Sequence, residues 1–194
     1  SNNRFLDIGS NKNLSFLKKN PSYFSQKTVF LDRDGVINEL KSNNYVRSFD
    51  QFKFLPGVIQ GIKFLNKKKY RVIVITNQAC VGKSIITEKK LNSIHQKMKD
   101  AIYLKSFAYI DDIFYSPYYK FSINIKYRLN YYDRKPNPGM LLNAIKKWNI
   151  DFKDSFFIGD SISDLNASKK AGIKFYYKEK NPLNIQLKKI INNE

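Results

Sequence analysis

Thr28-Val-Phe-Leu-Asp-Arg-Asp-Gly-Val-Ile-Asn38 is the stretch on which the fold of this 194-residue chain turns. Its apolar run, Val29-Phe30-Leu31, is bulky on both faces, as in a strand buried within a parallel sheet. The run stops at Asp32-Arg33-Asp34-Gly35, so two carboxylates stand at a strand's C-terminal end. Open α/β sheets bind their ligands at that edge. Two acids this close repel unless a cation or a shared proton separates them. Mg²⁺, which takes oxygen ligands, meets that need. The pair is expected to divide the chemistry, with Asp32 attacking and Asp34 moving a proton.

Strand and helix patterns alternate downstream. Pro56-Gly57 opens a helix with Val58, Ile62 and Leu65 on one face. Arg71-Val-Ile-Val-Ile-Thr76 is β-branched and reads as a second strand, ending in the polar cluster Thr76-Asn77-Gln78. A loop is expected next. Thr87 then caps a long helix whose buried stripe is Leu91, Ile94, Met98 and Ile102. His95, next to that stripe, reads as a partly buried helix residue without a catalytic partner. Further strands are expected over 113–115, 155–158 and 173–177, the second of these closing in Gly159-Asp160. Residues 117–134 read as a long loop, and such loops in compact domains are usually functional or mobile. Pro138 suits the first turn of a helix running through about Trp148. Ser161 and Asp164 suit a capping box, and Gly172 a helix stop. The tail reads as polar, with a helix as one option. This alternation predicts an α/β fold, a Rossmann-like three-layer α/β/α arrangement around a parallel sheet.

Composition narrows the class. The length favours one domain, taken as 28–194, behind an N-terminal arm over 1–27. At 42% hydrophobic the chain has enough apolar residues for a sizeable core, against global disorder. No apolar run approaches the roughly 20 residues of a membrane span, and the first residues lack a signal-peptide h-region. Cys80 is the single cysteine, which suits a reducing compartment, so the cytoplasm is expected. A net charge of +19 is what a nucleic-acid partner attracts, but the lysines are scattered and do not form one stripe. Drift toward Lys, Asn and Ile with a mildly positive site is preferred, nucleic acid is kept open as a partner, and a monomer is expected.

Three strand ends carry polar clusters, Asp32/Asp34, Thr76/Asn77 and Asp160 with Asp164. Arg134/Lys135 precedes a helix. Parallel strands in one sheet bring such ends to one edge. Asp-x-Asp-Gly, Thr-Asn, a Lys before a helix and Gly-Asp-x3-Asp, in this order, resemble the four motifs of haloacid-dehalogenase-like (HAD) phosphatases. Leu31-Asp-Arg-Asp-Gly-Val-Ile-Asn38, Ile75-Thr-Asn-Gln78, Ile94-His95 and Asp133-Arg-Lys-Pro-x-Pro-Gly-Met140 are similar to the D,D-heptose 1,7-bisphosphate phosphatase and histidinol-phosphatase branch. The likeness runs from about 28 to 177 and implies a HAD-like fold with a minimal cap. It implies Asp32 as the nucleophile that forms an aspartyl phosphate and Asp34 as the general acid, then base. Mg²⁺ is then held by the Asp32 carboxylate, the Asp34 backbone carbonyl and Asp160. Thr76, Asn77 and Lys135 bind the transferring phosphate, while Arg134 meets the rest of the substrate. Asp164 is left outside the metal set, as a helix-start residue. The implied substrate is a phosphorylated sugar, D-glycero-D-manno-heptose 1,7-bisphosphate cleaved at C7. Rival expectations are a histidinol-phosphate phosphatase, a polynucleotide 3′-phosphatase and a phosphatase-like binding module without turnover.

Two departures from the branch bear on specificity. A zinc site is common in the branch's long loop, but the matching positions here are Ser116, Tyr118, Tyr131 and Asp133. That set does not make a structural Zn²⁺ site, so no zinc is expected. Tyr118, Tyr119, Phe121, Tyr131 and Tyr132 are expected to pack the loop instead. After Thr76-Asn77-Gln78, Cys80 stands where the branch has Gly, and Lys83 where it has Arg. Gly often marks a positive φ, so an altered loop is expected at Cys80. Lys83 keeps the charge for phosphate but loses the bidentate fork. The residues 1–27, through Phe5-Leu-Asp-Ile-Gly9, resemble the tail of sugar-1-phosphate nucleotidyltransferases; an arm packed on the main domain is the other reading.

Overall fold

A computed structural model of the chain describes residues 25–40 and 45–192. The proposed arm therefore lies almost wholly outside the described residues, as do residues 41–44. Five strands, β1 (Gln26–Leu31), β2 (Arg71–Asn77), β3 (Asp112–Ser116), β4 (Ile150–Gly159) and β5 (Lys174–Tyr177), form one parallel sheet in the order β3-β2-β1-β4-β5. The α/β expectation is met. The chain builds outward from β1 to β3, then returns across the sheet to lay β4 on β1's other side. That reversal opens a crevice between the C-terminal ends of β1 and β4, where open sheets bind ligands.

The continuous apolar runs follow from helices on both faces. Val29, Leu31, Val72, Val74, Phe156 and Ile158 point to one side. They pack there with Val58, Ile62 and Leu65 of α1 (Val58–Lys67). Beyond the short α2 (Ala79–Gly82), α3 (Glu88–Ser106) adds Ile94, Met98 and Ile102 to the same layer. Phe30, Ile73, Ile75 and Phe157 point to the other side, onto α4 (Gly139–Trp148) and α5 (Ile162–Ala171). The alternation of side chains along each strand divides one run between two cores.

Several boundaries differ from the sequence reading. β4 begins at Ile150, five residues before the expected start. Its first half, Ile150-Asp-Phe-Lys-Asp154, has no continuous apolar run, and its register against β1 shifts between Lys27 and Val29, so apolar continuity could not mark it. The polar tail contains α6 (Leu183–Asn192), whose Leu183, Leu187 and Ile190 are buried against α1. Pro138 is the N-cap of α4, one position before its first turn. Cys80 takes no positive φ: it lies within α2, and Ser84 adopts the left-handed conformation, at φ 57°. The altered loop expected at Cys80 takes the form of a buried helical turn. Thr87 caps α3 by accepting from the Lys90 N–H, as expected.

Candidate active site

β1 delivers Asp32 to the crevice, and the next six residues form a tight loop that presents Asp34. Gly35 N–H donates to the Asn38 carbonyl at 2.8 Å, and Ile37 N–H to the Arg33 carbonyl at 2.8 Å. Val36 and Ile37 are fully buried, so the loop is anchored in the core and not free to swing. Gly35 sits at φ +86°, where only glycine is unstrained, and a Cβ there would lie 1.8 Å from an Asp160 carboxylate oxygen. Gly35→Ala is therefore expected to displace Asp160 and strain the loop, costing about 1–2 kcal/mol of stability. Weaker Mg²⁺ binding, measured by calorimetry on the folded variant, should accompany it.

Lys135 is the electrostatic centre. Its Nζ lies 2.9 Å from Asp32 Oδ1 and 2.5 Å from Asp164 Oδ1, and donates to the Ile75 carbonyl at 3.0 Å. All three side chains are almost inaccessible to water. Burial alone lowers a lysine's pKa, but the two carboxylates beside Lys135 carry it above the ordinary value. Burial pushes Asp32 up to about 7 despite Lys135, with Asp164 and Asp34 adding to the rise. Asp160 is raised by burial and by the Asp164 charge. Single oxygens of Asp32, Asp160 and Asp164 lie within 4.8 Å of one another. Three carboxylates around one lysine leave a negative excess of hard oxygen donors, which fits Mg²⁺.

Asp164 does more than start a helix. It forms the expected capping box with Ser161, Oδ2 accepting from the Ser161 hydroxyl at 2.6 Å and backbone N–H at 3.1 Å. Its other oxygen pairs with Lys135. With both oxygens engaged it braces the lysine, while Asp160 is more open to solvent at the crevice.

Asp34 is held differently. Arg33 Nη2 donates to its two oxygens at 3.0 and 2.9 Å, Asn38 Nδ2 at 2.9 Å and Gln78 Nε2 at 2.8 Å. Burial would raise its pKa, but Arg33 and these donors outweigh that and hold it below the ordinary carboxylate value. Arg33, Asn38 and Gln78 were given no roles on sequence grounds. The only signal for them is position, within or just after the two motifs.

The remaining predicted residues divide into two groups. Thr76 and Asn77 end β2 beside Lys135 and line the crevice, whose volume is about 650 Å³. The Thr76 hydroxyl accepts from Gln78 at 2.9 Å. The Asn77 amide ties down Lys135, donating to its carbonyl at 3.0 Å and accepting from its N–H at 3.1 Å. Lys83 stands at the crevice wall, its Nζ 5.4 Å from the Tyr45 ring centre and 4.9 Å from that of Tyr119. Arg134 is not among the lining residues; its Nη1 donates to the Tyr118 carbonyl at 3.2 Å. The sequence reading of His95 as partly buried is corrected: it is 5% exposed, and its Nε2 lies 3.1 Å from Arg33 Nη1.

The long loop is organised by backbone contacts and two 3-10 turns, at Ile125–Tyr127 and Tyr131–Asp133. Tyr119 N–H donates to the Tyr127 carbonyl at 2.9 Å, and Tyr127 packs beside Cys80 and Leu91. Phe121, though exposed, sets its ring edge-on to Tyr119 at 5.7 Å between centres, as expected, while Tyr132 is exposed. Asp133 accepts from Asn130 at 2.5 Å and from Asn143 at 3.0 Å.

The family model described as polynucleotide kinase 3 phosphatase matches residues 27–180. A D-glycero-beta-D-manno-heptose-1,7-bisphosphate 7-phosphatase of Rhodopseudomonas palustris is 36% identical over 163 residues, covering 84% of this chain and 89% of that protein. The alpha-anomer enzyme of Photorhabdus laumondii is 37% identical over 147 residues, covering 76% and 79%. Among solved structures, a D,D-heptose 1,7-bisphosphate phosphatase from B. bronchiseptica, complexed with magnesium and phosphate, superposes with a TM-score of 0.73 at 25% identity. That match covers 87% of this chain and all of the other.

Proposed function

The chain belongs to the polynucleotide kinase 3 phosphatase family, on the heptose-bisphosphate branch of the HAD-like phosphatases, and from that premise we propose that it hydrolyses the C7 phosphate of D-glycero-D-manno-heptose 1,7-bisphosphate. The observation that carries this reading is Lys135 buried between Asp32 and Asp164 at the sheet's switch point, with Asp160 alongside. A buried cation shared by acids at a strand end suits phosphoryl transfer, which needs positioning and charge neutralisation.

Asp32 attacks phosphorus, and the bond to the sugar oxygen breaks. Asp34 gives its proton to that leaving oxygen, and the phosphoryl group rests on Asp32 as an acyl phosphate. Asp34 then takes a proton from water as the water attacks phosphorus, and Asp32 is released with inorganic phosphate. The ionised Asp34 beneath its three donor residues is in the form required for this second half; the first half starts from the protonated carboxyl, which the negative phosphate of the bound substrate favours and which the second half regenerates. Thr76, Asn77 and Lys135 hold the transferring phosphate, and Lys83 on the crevice wall faces the rest of the substrate; Arg134, expected there from the sequence, lies outside the lining and instead holds the Tyr118 carbonyl. The Asp32 carboxylate, the Asp34 backbone carbonyl and Asp160 would hold Mg²⁺, which when bound offsets repulsion between carboxylate and phosphate. The loop is read as zinc-free: Asp133 already accepts from Asn130 and Asn143, and the Tyr119 N–H donates to the Tyr127 carbonyl.

We place the reaction in the cytoplasm, in the synthesis of cell-surface glycan precursors, with the protein as a monomer. Among the described residues no helix is long and apolar enough to cross a membrane. A second reading, removal of 3′-phosphates from polynucleotides, is favoured by the +19 charge. A panel of both heptose bisphosphate anomers, histidinol phosphate and a 3′-phosphorylated oligonucleotide separates the readings. The heptose ester is expected to lead in kcat/KM by roughly 10²-fold or more. Chelation should stop turnover and Mg²⁺ restore it. Preference for the oligonucleotide, with steep salt dependence, would overturn the sugar assignment, and stoichiometric zinc would overturn the zinc-free loop.

A further inference from the structure

We propose that His95 and Arg33 form a buried hydrogen-bonded relay that orients the Asp34 carboxylate, making both of them positioning residues for proton transfer. The inference rests on the role assigned to Asp34 above. Arg33 is 1% exposed and lines no part of the crevice, so it does not serve as a substrate ligand. Its guanidinium is spent on two partners. Nη2 grips the two Asp34 oxygens, with Nε at 3.4 Å from one of them, and Nη1 meets His95 Nε2 at 3.1 Å.

An arginine only donates, so His95 Nε2 must be the acceptor, and the ring is neutral with its proton on Nδ1. Burial and the facing Arg33 charge both disfavour a charged ring, pushing His95 down to about 3. The ring is itself fixed. α3 buries Leu91, Ile94 and Met98 around it, and Tyr115 stacks at a tilt, 5.7 Å between centres. The rigid core helix thus reaches the reactive loop through one hydrogen bond. Asn38 and Gln78 contact Asp34 from other sides, but only Arg33 grips both of its oxygens. Proton transfer needs the carboxylate within about 2.6–3.2 Å of the moving proton's heavy atom. Loss of the relay lets the loop carboxylate drift from that position.

The leaving group supplies a readout that a merely structural role would not move. A sugar alkoxide must be protonated as it departs; p-nitrophenolate need not be. kcat/KM reports the phosphoryl-transfer step, and is measured for the heptose bisphosphate and for p-nitrophenyl phosphate at saturating Mg²⁺. His95→Leu, which removes the acceptor, should lose roughly 10- to 100-fold on the sugar ester but only about two- to threefold on p-nitrophenyl phosphate. The sugar-ester loss should fall on kcat, with KM little changed. His95→Gln, whose amide oxygen can replace Nε2 as the acceptor, should recover most of it. Equal losses on both esters, or no recovery by Gln in a folded protein, overturn the proposal. Should His95→Leu not fold, Arg33→Lys carries the test, because Lys keeps the charge but cannot grip Asp34 and His95 together. It must show the same ester-selective loss, and an equal loss overturns the proposal. Asp34→Asn is the control: if it fails to discriminate between the esters, the role of Asp34 falls, whereas if it discriminates and the relay variants do not, only the relay falls.

Discussion

Asp32→Asn abolishes turnover while raising the stability of the metal-free protein at neutral pH. The loss follows from chemistry, since an amide oxygen is too weak a nucleophile to attack phosphorus; roughly 10⁴-fold or more in kcat is expected. The gain follows from linkage. Burial raises the Asp32 carboxyl to about 7 in the fold from an ordinary value of 3.8. A group that holds its proton more tightly when folded costs nothing below its unfolded pKa. The cost then grows as pH rises through that value and is complete above the folded pKa. The wild-type apoprotein should therefore lose stability between about pH 4 and 7, and the Asn variant should lose less. At pH 8 the variant is expected to be more stable by on the order of 1–3 kcal/mol, and the gap should close near pH 4. Asn also keeps an oxygen for the Arg33 N–H, which donates to Asp32 Oδ1 at 2.7 Å. Mg²⁺ should reverse the order, because the wild type gains binding energy that the variant lacks. Urea unfolding at the two pH values, with chelator and with Mg²⁺, checks each part. Retained activity in a chelator-sensitive assay would sink the mechanism.

The second large effect is at Lys135, where Met is close in length but uncharged. Lys135→Met leaves Asp32 and Asp164 buried at the end of β1 and the start of α5 without the cation between them. Removing one partner from a buried ion cluster typically costs about 3–5 kcal/mol, because the charges left behind are unpaired. The cost should shrink at acidic pH, where Asp32 takes up a proton, and in Mg²⁺. Activity should fall by roughly 10²–10³-fold or more even in folded protein, since the phosphate loses its neutralising charge. Adding Asp164→Asn, which keeps an oxygen for the Ser161 cap, should restore part of the lost stability but none of the activity. A double-mutant cycle in urea measures this coupling. If Lys135→Met costs no more stability alone than beside Asp164→Asn, the Lys135–Asp164 pair is not the brace inferred here.

These effects separate what was legible in the sequence from what was not. Val29-Phe30-Leu31 and Arg71–Thr76 announce buried parallel strands because their apolar character is continuous, and continuity survives any tertiary arrangement. Thr87, Ser161 and Gly172 mark helix ends because caps are local chemistry. The first half of β4 was not legible, because it has no continuous apolar run and its strand character comes from pairing with Gln26 and Lys27. α6 was legible only as one option for a polar tail, since its apolar stripe acquires meaning only against α1.

The sequence alone determined the α/β architecture and the order in which Asp32, Thr76 and Asp160 arrive at strand ends and Lys135 before a helix. Only the tertiary structure decided how those residues are used. Asp164 sits four positions after Asp160 and looks like a cap, but folding turns its second oxygen onto Lys135. His95 lies 62 positions from Arg33, and nothing in its helix pattern shows that the two meet. The physical reason is one of range. Backbone preference and apolar periodicity are set by near neighbours in the chain. The charge state of Asp32 and the orientation of Asp34 depend on which distant groups are buried beside them and how little water remains there.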